Sequence, residues 1–276
     1  MRESSRTSDE TPLLFEKQGG IATFTLNRPS ARNALTAAMF VEMERILIDL
    51  EADDDARAIV ITGADRCFSS GADLKPVSKE ERRRITAPCF PGDLGGDILD
   101  RGNRCILRLQ QLPKPVLASI NGDAVGAGCS LALAADLRIA SREARMGVVF
   151  SRIGLGPDAG ASYFLPNLVG TAKALELLFL ADLVDAGEAL RLGLLNRVVD
   201  ADELAGATTE LAERLAKGPT LVYGFAKEAV YGSANLPLAS VLDLEARNQR
   251  VATRSRDSVE GVKAFLEKRK PEFRGH

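Results

Sequence analysis

Residues 114–140 read KPVLASINGDAVGAGCSLALAADLRIA. The run PVLASI is short, apolar and bounded by Lys and Asn, which predicts a buried strand over Pro115–Ile120. A glycine-rich turn follows and opens an apolar helix, and LRIA predicts another strand over Leu137–Ala140. Strand, turn, helix and strand in this order indicate an α/β core whose strands are largely parallel.

The alternation extends outward from this stretch. It predicts further strands over Ile21–Leu26, Ala58–Thr62 and Leu195–Val199. Helices are predicted over Thr36–Asp49 (with Thr36 as N-cap), Ala172–Leu180 and Ala186–Leu192. Beyond residue 200 only helices are expected: Glu203–Lys217, Leu221–Tyr231, Leu236–Arg254 and Ser258–Lys270. We therefore expect a flexible arm over 1–12, an α/β core over 13–200 and a helical region over 201–276.

Composition excludes several classes of function. A formal net charge of −2 gives no general attraction to nucleic acid or an anionic membrane. The one histidine, His276, is terminal, and none of the four cysteines forms a CxxC pair, so neither a zinc site nor a Ser-His-Asp triad is expected. With no apolar leader and no long apolar run, we expect a cytoplasmic protein with free thiols.

Three segments are candidates for chemistry. CFSSGADL (67–74) and NGDAVGAGCS (121–130) each follow a predicted strand and could present backbone N–H groups to one oxygen, although tight turns alone would explain both. Asp158 is the only charged residue between Arg152 and Lys173, in IGLGPDAGASYFLP, where Pro and Gly also suit a simple turn. The charged and glycine-broken stretch Lys75–Arg101 predicts a loop.

Several motifs together resemble the enoyl-CoA hydratase/isomerase (crotonase) family. Their order and spacing match over nearly the whole chain from about residue 12. They are LNRPSARNALT (26–36), FSSGADLK (68–75), residues 114–140, IGLGPDAGASYFLPNLVG (153–170), ALRLGLLNRVV (189–199) and GVKAFLEKRKPEF (261–273). The resemblance implies a spiral of ββα units with an all-helical C-terminal trimerisation region, and a homotrimer or homohexamer.

The resemblance also implies an acyl-CoA thioester as substrate and no cofactor beyond its coenzyme A. By motif position, the backbone N–H groups of Ala72 and Ala127 would polarise the thioester carbonyl and stabilise an enolate. Ala127 stands where the family has a glycine. The added methyl group should not disturb the backbone N–H as long as φ of Ala127 is negative. Further contacts to the substrate would come from Arg32, Ala34, Ser70, Gly71, Asp73 and Leu74, and, in a neighbouring subunit, from Phe265 and Lys268.

The chain departs from the hydratase pattern at two positions. Family hydratases hold a water between two glutamates, and Ser130 and Phe150 stand there instead. Neither can serve in that acid–base pair, so both are expected only to contact substrate. A carboxylate does recur at the position of Asp158 in family isomerases, the epoxyphenylacetyl-CoA isomerase group being most similar. Apolar neighbours (Phe150, Ile153, Leu155, Phe164) should raise the pKa of this carboxyl, which suits a group that moves protons.

The resulting hypothesis is an enoyl-CoA isomerase with Asp158 as acid and base. The alternatives are an enoyl-CoA hydratase or another lyase of the family, and an acyl-CoA binder without turnover. RNA binding is a further alternative, which the net charge and the mixed KEERRR run disfavour.

Overall fold

The computed structural model describes residues 11–74 and 97–276. Its strands are β1 Leu13–Gln18, β2 Ile21–Leu26, β3 Ala58–Gly63, β4 Cys67–Ser69, β5 Val116–Ile120, β6 Asp123–Val125, β7 Leu137–Ser141, β8 Arg145–Gly147, β9 Val184–Asp185 and β10 Arg197–Val199. Its α-helices are α1 Ala37–Glu51, α2 Asp97–Gln111, α3 Ala127–Leu133, α4 Ala161–Val169, α5 Thr171–Leu180, α6 Ala186–Arg191, α7 Leu204–Ala216, α8 Thr220–Ser233, α9 Leu238–Ala252 and α10 Arg256–Leu266. Two 3₁₀ turns cover Pro29–Ala31 and Val149–Ile153.

Two sheets form the core. The larger has the strand order β1-β2-β3-β5-β7-β10, with β1 antiparallel to β2 and all other pairs parallel. The smaller has the order β4-β6-β8-β9, in which only the β8–β9 pair is antiparallel. Consecutive strands β5 and β6 thus enter different sheets before α3 begins. This ββα arrangement confirms the expected fold class.

The central strands of the larger sheet, β3 and β5, are buried on both faces. One face packs against α1 and α2, through side chains such as Met39, Met43 and Leu109. The other face packs against α7, through Leu204, Ala207 and Ala212. Burial on both sides explains why β3 and β5 are apolar at nearly every position. The first helix of the predicted C-terminal region therefore covers the sheet directly.

The five predicted strands are confirmed, with small shifts at their ends. The predicted N-cap is also confirmed, because the Thr36 hydroxyl accepts a hydrogen bond from the Met39 N–H at 3.3 Å. The four C-terminal helices are confirmed in number and order, and the last one ends at Leu266 rather than at residue 270. No described helix is long and apolar enough to cross a membrane.

Some expectations need correction. The predicted loop Lys75–Arg101 ends earlier than expected, because residues 97–101 form the first turns of α2, and residues 75–96 lie outside the described part of the chain. Strand β1 was not predicted, because five of its six residues are exposed and only its first three are apolar. Residues 161–169, for which no element was predicted, form α4 despite Pro166. Residues 1–10 of the predicted N-terminal arm also lie outside the described residues.

Candidate active site

Ala72 and Asp158 lie on the wall of one cavity, together with Ala127. The cavity is small, with an internal volume of about 20 Å³, and lies between α1, α2 and the N-terminal end of α3. The remaining described wall is apolar or small apart from Asn103, and consists of Phe40, Ile98, Leu99, Gly102 and Ala159. The three predicted catalytic positions, which are far apart in sequence, therefore meet at one place.

The backbone N–H of Ala72 faces away from the strand segment beside it. Ala72 forms an isolated parallel bridge with Leu35, in which the Leu35 N–H donates to the Gly71 carbonyl at 2.8 Å. The Asp73 N–H donates to the Leu35 carbonyl, also at 2.8 Å. In such a bridge the flanking residues make both hydrogen bonds, so the N–H of the central residue points to the other side. Ala72 lines the cavity, and none of the described backbone hydrogen bonds uses its N–H.

The backbone N–H of Ala127 belongs to the first residue of α3. N–H groups in the first turn of a helix have no acceptor within the helix, and the first donor inside α3 is Ser130, whose N–H donates to the Gly126 carbonyl at 3.0 Å. Gly126 turns the chain into the helix with φ 55°. Ala127 itself is not among the residues with positive φ, so its methyl group causes no backbone strain, as expected.

Gly71 lets these two donors approach one another. Its φ is 99°, a conformation that side chains rarely adopt. A β-carbon built on Gly71 would lie 2.9 Å from the Val125 carbonyl oxygen and 3.5 Å from the Ala127 nitrogen. The residue before Ala72 therefore lies close to the Ala127 N–H. Two N–H groups that converge on one point can donate to a single oxygen that gains negative charge during a reaction.

Asp158 is the only titratable residue on the described part of the cavity wall. Its Oδ1 is buried and has no hydrogen-bond partner among the described residues. Burial raises the pKa of the Asp158 carboxyl to about 6, as the sequence predicted from apolar neighbours. Of those neighbours, Phe150 and Phe164 are buried, whereas Ile153 is 47% exposed. A carboxyl group with this pKa exchanges a proton readily near neutral pH.

Ser130 and Phe150 are buried close to this site without lining the cavity. The Ser130 hydroxyl lies 3.1 Å from the Asp158 carbonyl oxygen and 3.4 Å from that of Gly126. The expectation that Ser130 contacts substrate is therefore not supported, because its hydroxyl faces the protein backbone. Phe150 lies in the 3₁₀ turn Val149–Ile153 and contributes apolar surface near Gly126.

The expected coenzyme A contacts lie around the loop 70–74. Ser70 donates its N–H to the Arg32 carbonyl at 2.9 Å, and Leu74 is 41% exposed at the surface. The Arg32 side chain is 65% exposed and pairs with Asp123 at 2.8 Å. Arg32, Ser70 and Leu74 are thus near one another and accessible.

One arginine that the sequence did not single out connects this region. Arg28 donates to the Ala34 carbonyl at 2.7 Å and pairs with the Asp73 carboxylate at 2.8 Å. It thereby joins the loop that carries Arg32 to the loop that carries Ala72. The side chain of Asp73, expected to contact the substrate, is thus paired with Arg28 within the protein.

Phe265 and Lys268 lie apart from the cavity, at the end of α10 and just after it. Phe265 is 82% exposed. Their expected role, contact with the substrate of a neighbouring subunit, stays a prediction. Asn103 was missed because α2 was not predicted, and no motif marks it. Within the described residues no group of acidic, histidine or cysteine side chains could hold a metal ion.

Comparison with known proteins identifies the family. The family model described as enoyl-CoA hydratase/isomerase matches residues 16–276. The chain belongs to the enoyl-CoA hydratase/isomerase family. Its members share the crotonase fold, and the solved structure of an enoyl-CoA hydratase from Bacillus anthracis superposes with a TM-score of 0.86 at 30% identity, over 96% of this chain and 100% of that one.

Some relatives within the enoyl-CoA hydratase/isomerase family are named isomerases and others are named hydratases. The chain is 39% identical over 264 residues to the 1,2-epoxyphenylacetyl-CoA isomerase of Escherichia coli, covering 95% of this chain and 98% of the relative. It is 40% identical over 263 residues to a probable enoyl-CoA hydratase of Rhodobacter capsulatus, with the same coverage. Family membership alone therefore does not distinguish isomerisation from hydration.

Proposed function

We propose that this enzyme is an acyl-CoA isomerase of the enoyl-CoA isomerase type, with Asp158 as both acid and base. One observation carries the proposal. Asp158, a partly buried carboxylate whose Oδ1 has no hydrogen-bond partner among the described residues, lines the same small and largely apolar cavity as Ala72 and Ala127. The substrate class is an unsaturated acyl-CoA thioester. The two N–H groups, from Ala72 and Ala127, would form an oxyanion hole around the thioester oxygen.

The proposed reaction moves one proton and one double bond. Asp158 in its ionised form removes a proton from the carbon next to the thioester of a 3-enoyl-CoA. The electron pair of that C–H bond enters the carbonyl, and the oxyanion hole stabilises the extended enolate. Protonated Asp158 then returns the proton to the γ-carbon, which leaves a 2-enoyl-CoA. No redox partner or further cofactor is required, because atoms and electrons balance within the substrate.

The pKa of Asp158 supports both halves of this cycle. A carboxyl with a pKa of about 6 is ionised in most molecules at pH 7, yet it holds a transferred proton more firmly than an ordinary aspartate. The apolar wall also supports it, because removal of water strengthens the interaction of the N–H dipoles with the enolate oxygen.

Hydration is the second candidate, because several relatives are named hydratases. The two-glutamate mechanism is unavailable with Ser130 and Phe150 at the relevant positions. In a hydratase, Asp158 alone would have to activate the water molecule and protonate the substrate carbon. The described cavity wall offers no second carboxylate for either step. Ring expansion of an epoxide, suggested by the name of the Escherichia coli relative, could use the same three groups.

The experiment compares Asp158→Asn with the wild type on two substrates. We expect the variant to lose at least ~100-fold in kcat for conversion of 3-enoyl-CoA, since general acid–base catalysis contributes about that much or more. Asp49→Asn is the matched control, because Asp49 is an exposed carboxylate on α1 that pairs with Arg45. Undiminished isomerisation by Asp158→Asn would refute the proposal.

The wild type distinguishes the alternatives. Faster hydration of 2-enoyl-CoA than isomerisation of 3-enoyl-CoA would favour the hydratase. Tight binding of a broad substrate panel without turnover would favour a binder.

We also propose that the enzyme assembles as a homotrimer or homohexamer and acts in the cytoplasm. Helix α10 supports the assembly, because it presents exposed apolar side chains to solvent in the single chain, namely Val259, Val262, Phe265 and Leu266. The three described cysteines are free thiols, in keeping with a reducing compartment. The molar mass from light scattering of the wild type and of Phe265→Asp tests the assembly. A monomeric mass for both proteins would contradict it.

A further inference from the structure

The turn that carries Asp158 has an unusual backbone and few anchors. Ala159 has φ 48° and Gly160 has φ 84°, so two successive residues adopt left-handed conformations. A β-carbon on Gly160 would come within 2.5 Å of the Phe164 ring. Left-handed conformations of non-glycine residues cost free energy and persist only where their surroundings hold them. Something outside the turn must therefore help to fix it.

The carbonyl of Asp158 is where the turn is held. It accepts a hydrogen bond from the Ala161 N–H at 3.0 Å, which lies within the same turn. Its second contact comes from another element, the Ser130 hydroxyl at 3.1 Å. Pro157 has no N–H to contribute. Among the described hydrogen bonds of residues 157–160, the one from Ser130 is the only link to a different part of the chain.

Ser130 lies on the helix that supplies one of the two donors. It is fully buried in α3, three positions after Ala127. A hydroxyl has one proton to donate, and the shorter and therefore stronger of its two contacts is the one to Asp158. One hydrogen bond thus connects the helix of the Ala127 N–H with the turn of the carboxylate.

We propose that Ser130 is a positioning residue, whose hydroxyl ties the Asp158 turn to α3 and sets the carboxylate against the Ala127 N–H. This inference rests on the proposed function. It replaces the earlier expectation that Ser130 contacts substrate. Because proton transfer depends steeply on the placement of the reacting groups, loss of the link lowers turnover while substrate binding is preserved.

Three substitutions at this position separate the hydroxyl from the volume of the side chain. Ser130→Cys nearly preserves the volume but offers only a weak donor, Ser130→Ala removes the donor, and Ser130→Thr keeps the hydroxyl. We expect kcat for 3-enoyl-CoA isomerisation to fall about tenfold in the Ala and Cys variants, which corresponds to the loss of one modest hydrogen bond. KM should stay within about twofold, and the Thr variant should recover most of the turnover.

Ser119→Ala is the matched control. Ser119 is also a buried serine, and its hydroxyl makes one hydrogen bond, to Thr208 at 2.7 Å, on the face of the sheet that α7 covers. Its substitution should affect stability to a similar extent but leave kcat unchanged. Equal losses of kcat in the Ser119 and Ser130 variants would show that Ser130 acts only through stability and would overturn the inference.

A second measurement does not depend on activity. Titration of the Asp158 side chain, followed by carbon NMR of the labelled carboxyl, reports how deeply that group is buried. In Ser130→Ala and Ser130→Cys the freed turn should move towards solvent, so the pKa of Asp158 should fall from about 6 towards its ordinary value of 3.8, and Ser130→Thr should restore it.

The outcomes distinguish the two proposals. An unchanged Asp158 titration together with unchanged kcat in Ser130→Ala overturns the positioning role. A raised KM with unchanged kcat also overturns it, because that result shows direct contact with substrate. Full turnover by Asp158→Asn refutes the proposed function instead, and the titration then still decides whether Ser130 fixes the turn.

Discussion

Gly71 and Ala127 approach so closely that a β-carbon on Gly71 would lie 3.5 Å from the Ala127 nitrogen. The same β-carbon would meet the Val125 carbonyl oxygen at 2.9 Å, which is closer than side-chain contacts normally allow. A side chain at position 71 would therefore push the loop of Ala72 away from the backbone of Val125 and Ala127.

Gly71→Ala should separate the two donors. Its φ of 99° is unfavourable for alanine, and backbone strain of this kind costs about 1–3 kcal/mol. We expect a lower free energy of unfolding and a loss of kcat/KM of ~100-fold, similar to removal of one oxyanion donor in other enzymes. Denaturant unfolding and steady-state kinetics measure the two effects.

Gly206→Ala serves as the control for this substitution. Gly206 lies within α7, and a β-carbon there would meet no atom within 4 Å. The variant should retain full activity and gain about 0.5–1 kcal/mol in stability, because alanine is the better helix former. Retained activity in Gly71→Ala would show that donor spacing does not limit the reaction.

Asp158 should make stability and activity depend on pH in opposite directions. Its folded-state pKa of about 6 exceeds the ordinary value of 3.8, so the folded protein binds this proton more tightly than the unfolded chain. Stability from this group is therefore complete below pH 4 and is lost as pH rises through 6. Conversely, kcat/KM should rise through pH 6, because the base must be ionised.

Asp158→Asn should remove this pH dependence of stability. At pH 8 the variant should be more stable than the wild type by about 1 kcal/mol, a figure that allows for partial exposure of the carboxyl, or about 2 °C in Tm. At pH 4 the difference should vanish. Calorimetry at the two pH values provides the test, and equal Tm differences at both would contradict a raised pKa.

Arg32→Ala should weaken binding of coenzyme A esters without slowing the chemical step. The Arg32 guanidinium is exposed beside the loop that carries Ala72, and we expect it to bind a phosphate group of the substrate. We expect KM to rise about fivefold at constant kcat, since the lost interaction is equal in ground and transition states. Asp123 keeps its bidentate pair with Arg145, so the local structure should persist.

A truncated substrate sharpens the Arg32 measurement. A pantetheine thioester of the same acyl group carries no nucleotide phosphates, so Arg32→Ala should leave its kinetics unchanged. Arg142→Ala is the control, because Arg142 is an exposed arginine paired with Asp200. An equal effect on both thioesters would contradict phosphate recognition by Arg32.

Lys227→Met should destabilise the protein strongly. Lys227 is buried on α8 and pairs with Asp136 at 2.9 Å, and burial lowers the pKa of this lysine. Its removal leaves the Asp136 carboxylate without its cation, which costs about 3 kcal/mol. Lys217→Met, which removes an exposed i,i+4 pair with Glu213, should change stability by less than about 0.5 kcal/mol. Chemical denaturation of the two variants compares them directly.

The central strands of the larger sheet, β3 and β5, could be predicted because their burial leaves a nearly continuous apolar run. Val116–Ile120 shows this well, since all five of its residues are buried. Strand β1 gives no such signal, because Leu13 is its only buried residue and hydrogen bonds to β2 hold it at the sheet edge. The strands of the smaller sheet have two or three residues each, too few for periodicity to show.

The candidate site could be predicted where local motifs carry it. Ala72, Ala127 and Asp158 each lie in a glycine-rich motif, and the fold brings them to one cavity. Asn103 and Arg28 act through contacts between segments distant in sequence, so no local pattern marks them. The link from Ser130 to the Asp158 carbonyl was hidden for the same reason, because 28 positions separate the two residues.

The two cavity donors belong to the main chain, which has a consequence for how such a protein changes over evolutionary time. Exchange of the side chain at Ala72 or Ala127 leaves the N–H in place, and only proline eliminates it outright. In the proposed reaction the groups that move protons are side chains, and one substitution at position 130, 150 or 158 adds or deletes such a group. Mutation therefore changes the proton-transfer groups far more readily than it changes the hydrogen bonds to the carbonyl oxygen. Close relatives can accordingly differ in the reaction they catalyse.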